Sequence, residues 1–247
     1  MRLYYDLHLH SCLSPCGDDD MTPWNLVNMA KILGLDIIAL TDHNTCRNCR
    51  SAMKVGEMAG ITVVPGMELC TAEEIHCVCL FDDIDKAEAF SDYIKTTMPS
   101  VKNREEIFGR QLMMNEGDGI LGKEEILLTV ASSVSIDELP SLIKSYEGVC
   151  FPAHIDRESY SVISSLGDFP PELEVNVFEL TPEADETEYR GRYEALKGKV
   201  TVRNSDAHYL QNMREREFFI DLDENSPSAL IKYLKRRLCN ERDSKSR

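Results

Sequence analysis

A chain of 247 residues with 43% hydrophobic and 28% charged residues is long enough for one large core, or a domain plus an insertion, and its composition is that of an ordinary globular protein. Its formal charge of −16, from 27 basic against 43 acidic residues, opposes a long polyanion because phosphate binding draws on Lys and Arg, so a small substrate and no long nucleic acid are expected. No apolar run reaches the roughly 18 residues of a bilayer span and the N-terminus enters folded pattern directly; a cytoplasmic protein without membrane contact is expected, and nine cysteines, an odd number without a secretion signal, argue against a disulfide framework.

In chain order, "RLYYDLHLH" reads as a strand and "TPWNLVNMAKILG" as a helix, with Thr22 as its cap and Pro23 in its first turn. "LDIIALTDH" is a buried strand, "RSAMKVGEMAG" a helix ending at Gly60, and "ITVVPGMEL" and "IHCVCLF" two more apolar strands. This alternation predicts a mainly parallel sheet. From residue 84 to 146 the segments "DKAEAFSDYIKTTM", "REEIFGRQLMMNE", "KEEILLTVA" and "SIDELPSLIKSYEG" read as helices, predicting a helical insertion or cap. Alternation resumes with "GVCFPAHI", "EVNVFEL", "KVTVRNS" and "REFFIDL", followed by a helix from Ser226–Pro227. The expected organisation is a barrel from residues 1–83 and 147–240, a helical insertion at 84–146, and a flexible tail at 241–247.

The six histidines fall at strand ends: His8 and His10 after the first, His43 after the second, His76 opening "IHCVCLF", His154 in "CFPAHI" and His208 in "RNSDAH". Residues i and i+2 of a strand share a face, so His8 and His10 can chelate one ion. Glu68 and Asp206 accompany them. In a parallel barrel, strand C-termini converge on one rim, where sites are built. Imidazole suits zinc, iron and manganese, and carboxylates can bridge two ions. The set exceeds the needs of one tetrahedral ion and predicts two to three divalent metal ions. Such ions polarise a phosphoryl oxygen and generate hydroxide near neutral pH.

The ordered series HxH, TDHN, E…H, PAH, SDAH resembles the polymerase and histidinol phosphatase (PHP) family of metal-dependent phosphoesterases. The resemblance implies a distorted (β/α)7, TIM-like barrel, an α/β fold, with a trinuclear site of Mn, Zn or Fe at its C-terminal rim. It implies that His8, His10, Glu68 and Asp206 hold one metal, that Glu68 bridges to a second held by His76 and His154, and that His43 and His208 hold a third. The ninth ligand of the family implies Asp18, counted back from Thr22–Pro23, over Asp19 and Asp20; counted forward from His10 it falls on Pro15. The implied activity is hydrolysis of a small phosphate ester, a nucleoside phosphate or short oligonucleotide, by metal-bound hydroxide. The alternatives are a metal-dependent amidohydrolase, opposed by the lack of a strand-end lysine, and a non-catalytic metal-binding regulatory module.

Other residues carry alternatives. Cys12, Cys16, Cys46 and Cys49 either bind a structural zinc or iron–sulfur cluster or pack as small hydrophobes; Cys77, Cys79 and Cys150 read as core. Arg157, three residues after His154, is expected to contact substrate phosphate, with Arg104 and Arg110 reaching down from the insertion. Ser11 and Asn44 flank ligand histidines and are expected to orient them. The "GDG" at 117–119 reads as a turn.

Overall fold

The computed structural model describes residues 1–236; the tail expected at 241–247 lies outside them. The strands are β1 (Arg2–Leu9), β2 (Ile37–Leu40), β3 (Thr62–Cys70), β4 (His76–Leu80), β5 (Leu112–Met114), β6 (Ile120–Lys123), β7 (Val149–Pro152), β8 (Val177–Leu180), β9 (Val200–Arg203) and β10 (Phe219–Asp221). The α-helices are α1 (Pro23–Ile32), α2 (Cys49–Ala59), α3 (Ile84–Thr97), α4 (Glu105–Phe108), α5 (Leu139–Ser145), α6 (Val162–Leu166), α7 (Glu186–Arg192) and α8 (Pro227–Leu234). The termini follow local chemistry: Thr22 accepts from the Asn25 amide at the start of α1, and α2 stops at Gly60 in the left-handed region.

One sheet has the order β10-β1-β2-β3-β4-β7, and β8 pairs with β9. The sheet curls, and its ends meet at one rim. Leu9 bridges Ala207, the His10 amide donates to Ala207 O at 3.1 Å, and the Ile155 amide donates to Glu179 O at 2.9 Å. Seven strands, β1 to β4 and β7 to β9, thus form the expected α/β barrel. Among the described residues no ladder joins β7 to β8 or β9 to β1.

Strand direction differs from the expectation. β1, β2 and β3 are mutually parallel, but β3–β4, β4–β7 and β1–β10 are antiparallel. The reason is connection length: only Thr71–Ile75 separates β3 from β4, whereas a parallel crossover needs a dozen residues or more. The inversion brings the first residue of β4, His76, to the rim where the parallel strands end.

The barrel interior is filled by Leu3, Tyr5, Leu7, Ile37, Val64, Val78, Phe151 and Val202, and Leu230, Ile231 and Leu234 of α8 pack into the same cluster. Outside, Leu26 of α1, Val55 of α2 and Phe90 of α3 share a second cluster with Ile38, Val63 and Cys79. Each such side chain contributes roughly 1.5–3 kcal/mol by leaving water.

A β-bulge explains how β1 carries both an apolar interior and two inward histidines. Tyr5 pairs Ile37 and Asp6 pairs Ile38, but Leu9 pairs Leu40, so β1 has one extra residue. The bulge reverses the alternation. Leu3, Tyr5 and Leu7 belong to the interior cluster, Leu9 to the outer one, and His8 and His10 are fully buried.

The insertion is not the run of helices that residues 84–146 suggest. α3 and α5 are present, but "REEIFGRQLMMNE" forms only the single turn α4 before entering a β5–β6 hairpin, and "KEEILLTVA" is irregular once Lys123 has closed β6. Two partners override helix propensity. The Leu112 amide donates to Cys12 O at 2.9 Å, and the Met114 amide donates to Asn48 Oδ1 at 2.9 Å. The "GDG" forms the hairpin tip as expected, folded around Asn115 Oδ1, which accepts from Gly117 and Gly119.

Candidate metal centre

Glu68 sits on β3 with its carboxylate surrounded by imidazoles. Oε1 lies 2.9 Å from His76 Nδ1, 3.1 Å from His154 Nε2 and 3.2 Å from His8 Nε2. Oε2 lies 3.0 Å from His43 Nδ1 and 3.4 Å from His10 Nε2. Asp206 Oδ1 is 3.1 Å from His10 Nε2 and 3.4 Å from His8 Nε2. His208 stacks on His10 with ring centres 4.1 Å apart.

Three sets bring ligand atoms within 4.8 Å of one another: His8, His10, Glu68 and Asp206; His43, Glu68 and His76; and His10, His43 and His208. Seven of the nine residues implied as ligands fall in these sets, and His154 joins them through its 3.1 Å contact with Glu68 Oε1. Asp18 does not join these sets; its Oδ1 closes a turn by accepting from the Asp20 amide at 2.9 Å.

These residues fit divalent cations. His154 Nδ1 is buried without a hydrogen-bond partner among the described residues, and His43 Nδ1 and Asp206 Oδ1 are buried with only the ion-pair contacts of Glu68 Oε2 and His10 Nε2, which is costly unless something else satisfies them. His8 Nε2 and His10 Nε2 face each other at 3.2 Å. Electrostatics agree. Burial opposes protonation of His8, but the carboxylates of Glu179, Glu68 and Asp206 outweigh it and hold the imidazole well above its ordinary range. Burial disfavours ionised Glu68, yet the imidazoles, His76 foremost, hold it well below the carboxylate range, and Asp206 is lowered likewise. Burial and the neighbouring His10 push His208 down to about 3. Protons on some imidazoles thus balance buried carboxylates, a balance that bound cations would supply instead.

Residues behind the cluster fix the imidazoles. His8 Nδ1 donates to Glu179 at 3.0 Å, leaving Nε2 free to ligate, and Glu179 also accepts from Asn204 Nδ2 at 3.2 Å. His10 Nδ1 donates to Ser14 Oγ at 2.9 Å, and Ser14 Oγ donates to Asp42 Oδ1 at 2.7 Å. Sequence reasoning missed Glu179, Asp42 and Ser14. The available signal was an acid inside the buried run "VFEL". Outer partners of this kind are worth 10–100-fold in metal affinity. Glu179→Gln is expected to weaken binding of the ion held by His8 by that range in a chelator competition, and unchanged affinity would show that Glu179 does not orient His8.

His154 (φ +28°) and Asp206 (φ +51°) adopt left-handed backbone, which costs on the order of 1–3 kcal/mol each. The strain turns both side chains onto the rim. Ser11 orients Asp42, with Oγ donating to Asp42 Oδ2 at 2.6 Å, and Asn44 ties its loop to Cys70 and Leu128.

Arg157 Nη1 lies 2.7 Å from Asp206 Oδ2, at the centre itself. Arg110 pairs with Asp19 in the loop after β1, while Arg104 lies over Phe108 within the insertion. The four thiols do not assemble: Cys12, Cys46 and Cys49 are buried, Cys16 is exposed, and no ligand set among the described residues contains a cysteine. Burial pushes the Cys12 thiol up to about 12. Cys77, Cys79 and Cys150 are core, as expected.

A protein of Methanocaldococcus jannaschii, MJ1587, is 37% identical over 90 residues, which are 33% of this chain and 53% of that protein. A 5'-3' exoribonuclease of Haemophilus influenzae is 37% identical over 83 residues, 32% of this chain and 29% of that protein. The chain thus spans about half or less of the curated relatives it matches. In fold it is similar to the lesion-specific endonuclease Q of Pyrococcus furiosus (TM-score 0.67, 17% identity), over 95% of this chain and 56% of that one. Endonuclease Q is also solved in complex with a 27-mer duplex bearing an abasic lesion at the active site (TM-score 0.62, 16% identity, over 95% of this chain and 57% of that one).

That complex overturns the expectation of no long nucleic acid. Net charge is a property of the whole surface, whereas binding answers to the field at the site, which cations and nearby arginines set. A chain at −16 is therefore not barred from a duplex. The ordered ligand series, the curled barrel and a match to the PHP domain over residues 6–223 converge on one assignment: the chain belongs to the PHP domain family.

Proposed function

We propose that this chain is a metal-dependent phosphoesterase that hydrolyses nucleotides or nucleic-acid strands, using two to three divalent ions of manganese, zinc or iron. The observation that carries the reading is the convergence of six imidazoles on Glu68 and Asp206 at one rim. His8, His10, Glu68 and Asp206 would hold one ion, Glu68, His76 and His154 a second, and His43 and His208 a third. Such ions supply Lewis acidity toward a phosphoryl oxygen and lower the pKa of water toward about 7.

The chain's own residues bind and orient. Glu68 shares its charge among the sites, while Glu179 and Ser14 fix the faces of His8 and His10. Arg157, its side chain 44% exposed, presents a donor fork suited to phosphate oxygens beside the centre. Tyr160, 47% exposed, stacks on His76 with ring centres 4.6 Å apart, an aromatic surface of the type on which nucleobases stack. The named activities of the exoribonuclease and endonuclease relatives favour a nucleic-acid phosphodiester over an unrelated ester.

The test is a substrate panel with the metal-loaded protein: bis(p-nitrophenyl) phosphate, nucleoside monophosphates, and end-labelled single strands and duplexes with and without an abasic site. Cleavage of a nucleotide or nucleic acid at least tenfold more efficient than of the generic ester is expected. A fully loaded protein that cleaves none of them would overturn the proposal.

A further inference from the structure

Cys16 is the only exposed thiol among the described residues, and it is not free of the centre. Its Sγ lies 3.2 Å from His43 Nε2. His43 is buried, its Nδ1 faces Glu68 Oε2 at 3.0 Å, and it groups with His10 and His208 as a set able to hold an ion, which Cys16 adjoins through His43.

The loop bearing Cys16 is built to stay there. The Gly17 amide donates to Ser14 O at 2.9 Å, and the Asp18 amide donates to His208 O at 2.9 Å. A Cβ at Gly17 would come within 2.4 Å of Ser11 O, so only glycine fits. Gly109 of the insertion (φ +98°) backs the loop, where a Cβ would meet Pro15 O.

We propose that Cys16 Sγ, and not an Asp18 carboxylate, is the ligand that completes the ion site of His43 and His208. The inference rests on the reading of the cluster as a metal centre. On binding, the Cys16 thiol would release its proton to solvent as the sulfur–metal bond forms. A mixed sulfur and nitrogen donor set selects zinc or ferrous iron over manganese, which prefers oxygen. The site would therefore be chemically distinct from the oxygen-rich one at Glu68 and Asp206.

Cobalt(II) makes the bond visible, because thiolate ligation gives a near-ultraviolet sulfur-to-cobalt charge-transfer band that imidazole and carboxylate ligation do not. The full chain, stripped and reloaded with cobalt, is expected to show the band. Cys16→Ser should lose it together with about one ion per chain, while Asp18→Asn keeps both. Cys12→Ser is the control; Leu112 O, 3.8 Å from Cys12 Sγ, gives the new hydroxyl an acceptor. Cys16→Asp should restore the ion without the band and shift preference toward manganese. Full cobalt loading without the band, or a band that survives Cys16→Ser, would overturn the role of Cys16 and leave the metal centre standing. Failure to bind cobalt at all would overturn both.

Discussion

Removing metal with a strong chelator abolishes phosphoester hydrolysis, by at least about a thousandfold, and manganese, zinc or iron restores it. The size follows from what the chain supplies unaided. In the bare centre the ionised carboxylates of Glu68 and Asp206 are balanced by imidazole protons, so it offers a phosphate no Lewis acid. Arg157, already paired with Asp206, is the nearest compensating guanidinium. A thousandfold loss corresponds to about 4 kcal/mol of transition-state stabilisation, within the several kcal/mol that metal Lewis acidity contributes. The check is turnover and metal content measured on the same samples through stripping and stepwise reloading. Full turnover in a preparation shown to be metal-free would sink the assignment.

Glu68→Gln is expected to be the most damaging single substitution in the centre. Among the described residues no other side chain of the centre is shared so widely: its two oxygens lie within 3.4 Å of five histidines. The amide keeps the shape and removes the charge, so neighbouring cations lose the anion between them, and repulsion of close unit charges rises steeply as separation and dielectric fall. Loss of more than one ion per chain and a thousandfold or greater drop in hydrolysis are the expected results. Circular dichroism of the metal-free variant should match that of the metal-free parent, separating ligand loss from misfolding. Retention of the full metal complement would show that Glu68 does not bridge.

The histidine cluster was legible because metal chemistry restricts residue type and the strand-end rule restricts place. His8, His10, His43, His76, His154 and His208 could be read from "HLH", "DHN", "IHC", "AHI" and "DAH" without knowing a single contact. What supports them was harder to read. Glu179 looks like an ordinary acid until His8 is known to lie beside it, some 170 positions away in sequence. The ninth position was the hardest to read, because counting along the loop ignores its path: the turn at Ser14–Gly17 carries Cys16 to His43, while Asp18 closes a turn of its own. The direction of β4 was written in its five-residue connection, but apolar strands look alike in either direction. In the insertion, helix-forming residues were pulled into a hairpin by Cys12 and Asn48, partners more than 60 positions away. The exclusion of a duplex failed differently, by treating total charge as though it were local field.

The open seam of the barrel gives the ions a second task. Where β9 returns to β1, the described residues show a single bridge, Leu9 to Ala207, in place of a ladder. Across that seam His8 and His10 meet Asp206. A cation held from both sides would tie residue 8 to residue 206 and act as a removable cross-link around nearly the whole chain. By the chain-entropy argument used for disulfides, a closure of this length is worth about 5 kcal/mol. The barrel would then be fastened by its own cofactor, and metal starvation would loosen the fold at the seam as well as silence the chemistry.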